Sequence, residues 1–195
     1  TFTLSILLHT TAGWCEFPVD VTENSGLPGN FFQTSGYLDG TVFHLAFIRS
    51  ADGNPPFKVY YAPIDASADF NSDTLTGDTL RLKDITLLDL TLPAYVDGRS
   101  PSIFPLSDNG EKKAGVAFIG DGTVFFALIN PNLDSDALQP SVEDVQAVPV
   151  VPAGSVTSLS SASDSAGNLH LLYDNTGSLL YASIPFDDFT NSVTS

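Results

Sequence analysis

The stretch Ala114-Gly-Val-Ala-Phe-Ile119, the turn Gly120-Asp-Gly122 and the stretch Val124-Phe-Phe-Ala-Leu-Ile129 together read as a β-hairpin of two apolar strands. The same pattern occurs twice more, in residues 41–64 and 168–184. Each copy ends on an aromatic residue, an alanine, a variable residue and an isoleucine, which places three alanines in register: Ala62, Ala127 and Ala182. These alanines lie 65 and 55 residues apart, a spacing typical of all-β repeats such as propeller blades.

Strand and turn residues dominate the rest of the chain as well. The 13 prolines and 15 glycines separate short runs rich in β-branched and aromatic residues. Two further strands precede each hairpin, at residues 14–21 and 30–35, 84–90 and 101–106, and 145–150 and 156–161. The sequence therefore predicts an all-β fold of β-propeller-type repeats in a single domain, residues 1–195. The predicted four-stranded blades comprise about residues 14–66, 84–131 and 145–185, and residues 1–8 form a strand of a preceding blade.

Three blades and one extra strand are too few for a closed ring, since propellers have about four blades or more. An open stack would leave long strand edges that invite aggregation. We therefore expect the ring to be completed from outside the chain, either by a second copy in a homo-oligomer or by further blades of a longer protein.

The net charge of −16 arises from 23 acidic residues, mostly aspartate, against seven lysines and arginines. Such a surface repels phosphate groups, which argues against nucleic acid and anionic lipid as partners. No apolar run reaches the roughly 18 residues of a membrane-spanning helix, so we expect no membrane insertion. Aspartate is typical of turns and loops, which places most of the acidic charge in the connections between strands.

The third repeat, Ser158-Leu-Ser-Ser-Ala-Ser-Asp-Ser-Ala-Gly-Asn-Leu-His-Leu-Leu-Tyr173, resembles the bacterial sialidase-like (Asp-box, BNR-related) β-propeller repeats. The first repeat agrees through Trp14 and His44-Leu-Ala-Phe47, and Ser50-Ala-Asp-Gly53 is similar to an Asp-box turn. The second repeat departs from the pattern, because Gly115 stands where the histidine would be. The resemblance implies a propeller fold and carries no catalytic motif.

A candidate calcium loop follows the second hairpin. Oxygen donors occupy loop positions 1, 3, 5 and 12: Asn132, Asp134, Asp136 and Glu143. Alternate oxygen ligands let a short loop wrap a hard cation, although Ala137 replaces the glycine that usually makes the sharp turn. The alternative is that these residues simply form an acidic turn between blades.

Candidate ligand-binding residues are Arg99, which follows an Asp-Gly turn, and the turn-flanking aromatics Tyr95 and Tyr37, which suit stacking on a sugar. Sialidase chemistry needs a cluster of arginines for the substrate carboxylate together with an acid/base and a nucleophile. The chain has three arginines, and the sequence does not bring them together. His44 and His170 occupy equivalent strand positions, for which a structural role is favoured.

These observations favour a non-catalytic, extracellular or cell-envelope propeller segment that binds or scaffolds and recognises a glycan or a protein. One alternative is a portion of a sialidase-like glycoside hydrolase, with its other catalytic residues in blades outside this sequence. A second alternative is a structural repeat stabilised by calcium.

Overall fold

The computed structural model describes residues 4–10, 13–20, 30–50, 54–65, 80–81, 88–90, 97–108, 110–132, 140–148, 151 and 155–185. This part of the chain is all-β and contains no helix. Its strands are β1 (Leu4–Thr10), β2 (Gly13–Asp20), β3 (Asn30–Asp39), β4 (Val42–Ser50), β5 (Lys58–Asp65), β6 (Leu80–Arg81), β7 (Leu88–Asp89), β8 (Gly98–Asp108), β9 (Glu111–Gly120), β10 (Thr123–Asn130), β11 (Ser141–Ala147), β12 (Val156–Ser163), β13 (Leu169–Asn175) and β14 (Ser178–Ile184).

Eleven of these strands form three antiparallel meanders. Sheet I has the order β3-β4-β5-β7, sheet II the order β8-β9-β10-β11, and sheet III the order β12-β13-β14. A further small sheet, β1-β2-β6, is mixed, because β1 and β2 pair antiparallel whereas β2 and β6 pair parallel. The all-β prediction is confirmed.

Tight turns close the hairpins. Between β9 and β10, Asp121 and Gly122 both have positive φ, at 49° and 79°. Thr176 and Gly177 do the same between β13 and β14, at 53° and 84°. Two consecutive residues with positive φ define the type I′ turn, whose twist matches that of the paired strands. The Gly-Asp-Gly and Asn-Thr-Gly sequences therefore fix the register of both hairpins.

Sheet II lies between the other two meanders, so both of its faces are buried. One face packs against sheet I through residues that include Val116, Phe118, Phe125 and Ile129, which meet Tyr61 and its neighbours. The other face packs against sheet III through residues that include Phe104, Ile119 and Phe126. Burial on both faces accounts for the continuous apolar runs of β9 and β10, in place of an alternation of apolar and polar residues.

The grouping of strands differs by one strand from the sequence prediction. The strand predicted at residues 84–90 to open the second blade instead forms β7, which pairs with β5 at the end of sheet I. The strand predicted at 145–150 overlaps β11, which closes sheet II on β10. Strand β2, predicted to open the first blade, pairs with β1. A run of apolar residues indicates a strand but does not specify which neighbour it pairs with. The pattern therefore does not determine where one sheet ends and the next begins.

The described sheets stack in the order I, II, III without closing into a ring. Among the residues that the structure describes, no helix is long and apolar enough to cross a membrane.

Candidate functional site

A cleft of about 700 Å³ opens at one end of the three meanders. Its walls come from the ends of the first strands of all three sheets, where β3 leads into β4, β8 into β9 and β12 into β13. The lining residues are Tyr37, Leu38, Asp39, Pro105, Leu106, Ser107, Lys112, Lys113, Ser163, Asp164, Ser165, Ala166 and Gly167. The volume lies in the range of pockets that bind small ligands.

Asp164 organises the wall that sheet III contributes. Its Oδ1 accepts hydrogen bonds from the backbone N–H groups of Ala166 and Asn168, at 2.9 and 2.8 Å. Its Oδ2 accepts from Asn168 Nδ2 at 2.7 Å and lies 3.1 Å from His170 Nε2. The hydrogen bonds from the Asn168 side chain and backbone, followed by the contact with His170, lower the pKa of Asp164. The turn therefore presents a fixed carboxylate to the cleft.

Two lysines bring the opposite charge to the cleft. Lys112 on β9 forms an ion pair of 2.7 Å with Asp39 on β3, which joins sheets I and II across the opening. Lys113 is buried, with its side chain only 4% exposed, and pairs with Glu143 at 2.6 Å and Glu111 at 2.9 Å. Burial lowers the pKa of Lys113, but the hydrogen bonds with Glu143 and Glu111 outweigh it, and the net pKa is raised. Both lysines are thus held in place by carboxylate partners.

A stack of rings supports the sheet I wall. Tyr37 lies parallel to His44 at a centroid distance of 4.5 Å, and His44 Nδ1 lies 2.7 Å from the hydroxyl oxygen of Tyr61. Burial, with a smaller contribution from Asp39, raises the pKa of Tyr37. Burial also lowers the pKa of His44 to about 4, so its ring is neutral near pH 7. Among the described residues, His44 Nε2 has no hydrogen-bond partner.

The His44–Tyr61 pair is repeated in sheet III. His170 Nδ1 lies 2.7 Å from the hydroxyl oxygen of Tyr181, as in the first sheet. The environments differ, because His44 and Tyr61 are buried whereas Tyr181 is exposed. His170 Nε2 has Asp164 as its partner. Each histidine thus contacts a tyrosine of the neighbouring strand in its own sheet, and the structural role favoured from the sequence stays a prediction.

The sequence-predicted ligand residues do not come together. Tyr37 lines the cleft, whereas Arg99 lies near the opposite end of β8. The six residue steps from Arg99 to Pro105 correspond to about 20 Å of extended strand. The Arg99 guanidinium is bound to Asp97, with Nη2 and Nε at 2.7 and 2.8 Å from the same oxygen. Tyr95 lies outside the described residues.

The calcium loop remains a prediction. Asp134 and Asp136 lie outside the described residues, Asn132 is exposed, and Glu143 is bound by Lys113. In the part of the chain that the structure describes, no three His, Cys, Asp or Glu side chains are placed to hold a metal ion.

The contribution of the Lys113–Glu143 ion pair to stability can be tested by substitution. We expect Glu143→Ala to lower the free energy of unfolding by about 1–2 kcal/mol, because Lys113 then keeps only the exposed Glu111 as a partner in a buried setting. Lys113→Met is expected to be neutral or stabilising, because it removes the buried charge and fills the same volume. Urea unfolding of both variants measures the difference. Equal losses in both would show that the pair itself stabilises the fold.

Sequence reasoning missed the polar residues of the cleft: Asp39, Lys112 and Asp164. The available signal was a turn with glycine at the same place in each repeat, namely Asp39-Gly40, Asp108-Asn-Gly110 and Asp164-Ser-Ala-Gly167. Equivalent turns of stacked meanders lie at the same end of the sheets, so these residues converge.

The chain matches no known family model, and no curated protein shares significant sequence similarity with it.

Proposed function

We propose that the chain is a non-catalytic binding module of β-propeller-type repeats, exposed outside the cell or on its envelope, that binds a neutral glycan in the cleft. The observation that carries this proposal is the composition of the cleft wall. It combines carboxylates, hydroxyls and two lysines, all at one opening, with the apolar surfaces of Tyr37 and Leu38. Sugar hydroxyl groups can hydrogen-bond to the polar side chains, and the C–H faces of a sugar can pack on the apolar surfaces.

The arrangement of the first strands of the three sheets, β3, β8 and β12, supports the β-propeller part of the proposal. Strand β8 lies beside both β3 and β12, and side chains link them: Ile103 N donates to Ser35 Oγ at 3.1 Å, and Ser161 N donates to Ser102 Oγ at 2.9 Å. In a propeller the first strands of successive blades lie side by side around the central axis. The cleft would then lie at one end of that axis.

The charges of the cleft favour binding over catalysis. A glycosidase needs a carboxylic acid whose pKa is raised so that it can protonate the leaving oxygen. The pKa of Asp164 is lowered by its hydrogen bonds, so this carboxylate stays ionised and does not suit the role of that acid. The net charge of −16 disfavours acidic sugars, so the ligand that fits is neutral.

A screen of neutral oligosaccharides followed by titration calorimetry tests the proposal. Ala166 is exposed in the turn on the cleft wall, and Ala166→Trp is expected to fill the opening and weaken binding at least tenfold. Val142→Trp, at an exposed position on β11 outside the cleft lining, is the matched control and should leave the affinity unchanged. Absence of binding to every neutral glycan, or an equal loss in both variants, would refute the cleft as the site. Hydrolysis of an aryl glycoside would favour the sialidase-like alternative.

A further inference from the structure

One buried polar atom beside the cleft has no partner. The ring nitrogen Nε2 of His44 is enclosed, and none of the described residues forms a hydrogen bond with it. The residue as a whole is 1% exposed. Buried polar atoms of proteins are nearly always hydrogen-bonded, and those that are not often belong to functional sites. This one lies next to a cleft from which a ligand atom could reach it.

His44 lies directly behind the cleft wall. It projects from the same face of β4 as Ala46, which packs towards sheet II. The ring of Tyr37, which lines the cleft, covers the His44 ring in a parallel stack at a centroid distance of 4.5 Å. Asp39 and Lys112 also line the cleft, and both act electrostatically on His44. The Tyr37 ring therefore stands between the unpartnered nitrogen and the cleft.

The unpartnered nitrogen carries the hydrogen of the neutral ring. His44 Nδ1, at 2.7 Å, is the hydrogen-bond partner of the Tyr61 hydroxyl, which has no other among the described residues. If Nδ1 held the hydrogen, the buried Tyr61 O–H would lack an acceptor and Nε2 would lack a donor. If Tyr61 donates to Nδ1, only the Nε2–H group is left without a partner. We assign this second tautomer from the hydrogen-bond pattern, because it leaves the fewest donors unpaired.

A buried donor of this kind selects a ligand atom that only accepts. A sugar hydroxyl could accept from Nε2–H, but it would bring a proton of its own that needs a further acceptor in the enclosed space. A carbonyl oxygen brings no proton. Neutral sugars carry a carbonyl in the acetamido group, whose methyl group can pack on aromatic rings such as those of Tyr37 and Tyr61. The acetamido N–H can donate to a carboxylate, and Asp39 lies at the same opening.

Tyr37 is the side chain that has to move to admit such a group. It lies on β3, the terminal strand of sheet I, and is half-buried. Within the part of the chain that the structure describes, its hydroxyl forms no hydrogen bond, and its contact with His44 is a ring stack. A ring held in this way can change its rotamer without a change in the backbone.

We propose that the neutral glycan bound in the cleft is N-acetylated and that His44 belongs to its site. Tyr37 turns aside, and the carbonyl oxygen of an acetamido group accepts a hydrogen bond from His44 Nε2–H. The inference rests on the proposed function, because it names the ligand class for the same cleft. The stack of Tyr37 on His44 is then the closed form of the site, and binding pairs a donor that the closed form leaves unpaired.

Two matched oligosaccharides test this inference by titration calorimetry. Tri-N-acetylchitotriose and cellotriose differ only in that the first has an acetamido group where the second has a hydroxyl. We expect the wild type to bind the N-acetylated trimer about tenfold more tightly, and His44→Phe to lose this preference because phenylalanine keeps the ring and lacks the donor. Val142→Phe, at an exposed position on β11 outside the cleft lining, is the matched control and should keep the preference. Circular dichroism checks that both variants are folded.

Nuclear magnetic resonance of isotopically labelled histidine gives a readout in the wild type. The chain has three histidines, so the imidazole signals of His44 are assigned by their loss in His44→Phe. We expect the Nε2 signal of His44 to shift with tri-N-acetylchitotriose and to stay in place with cellotriose.

The results that would overturn the inference are distinct from those that would refute the proposed function. Equal affinity of the wild type for the two trimers, a preference that His44→Phe retains, or an unchanged His44 signal at saturation would overturn it. So would binding of other neutral glycans with no binding of the N-acetylated trimer. In these cases glycan binding in the cleft still stands, whereas failure of every neutral glycan refutes the proposed function and this inference together.

Discussion

Phe126→Ala is expected to lower the free energy of unfolding by about 3–5 kcal/mol, the largest effect that we expect from a single substitution. Phe126 is buried on β10, and its ring lies 6.1 Å from that of Phe104 within the core between sheets II and III. Removing the ring loses its transfer free energy and leaves a cavity between two sheets whose backbones are held by hydrogen bonds. A loss of this size approaches the whole stability of many domains.

Tyr181→Ala is the matched control, because Tyr181 occupies the equivalent position in sheet III and is exposed. We expect it to cost less than about 1 kcal/mol. Urea unfolding measures both variants. Equal losses would show that the face of sheet III around Tyr181 is covered, which contradicts a stack that ends at sheet III.

The hairpins were predictable because their signals are local. The apolar runs at residues 114–119 and 124–129, together with the turn Gly120-Asp-Gly122, correspond to β9 and β10. The runs that end on Ala62 and Ala182 correspond to β5 and β14, each paired with the strand before it. Turn chemistry and hydrophobic pattern act within about ten residues, so a single sequence contains them.

The sheet boundaries and the cleft were not predictable because they depend on distant contacts. β7 is two residues long and pairs with β5 across a connection of more than 20 residues. Lys112 and Asp39 form their ion pair across 73 positions. Neither residue has a local pattern that distinguishes it from other surface charges, and both acquire their setting only when the sheets stack.

Gly115 stands where the first and third repeats have a histidine, and the packing around it explains this difference. A Cβ atom added to Gly115 would lie 2.5 Å from a ring carbon of Phe104 and 2.8 Å from a methyl carbon of Leu106. These side chains on β8 fill the space that a side chain at position 115 would need. The second repeat therefore replaces a polar pair with apolar packing, and the repeat tolerates either solution at this position.

Stability is expected to fall by about 3 kcal/mol as the pH decreases from about 7 to about 4, and His44 is the residue responsible. Burial lowers its folded-state pKa to about 4, while Asp39 raises it and Lys112 lowers it further. In the unfolded chain histidine titrates near pH 6.5. Between these values the unfolded state takes up a proton that the folded state does not, so acid favours unfolding. Above about pH 6.5 the contribution is constant.

The His44→Phe variant isolates this contribution, because phenylalanine preserves a ring against Tyr37 and does not titrate. We expect its free energy of unfolding, measured in urea at pH 8, 7, 6 and 5, to vary less with pH than that of the wild type. The comparison uses the slopes, since the loss of the Tyr61 contact changes the absolute stability at every pH. Asp164 acts in a different window, because its lowered pKa gives stability that is lost only below its unfolded value near 3.8. Parallel curves between pH 7 and pH 5 would show that His44 is protonated as easily in the fold as in the unfolded chain, and that the wall behind Tyr37 is open to water.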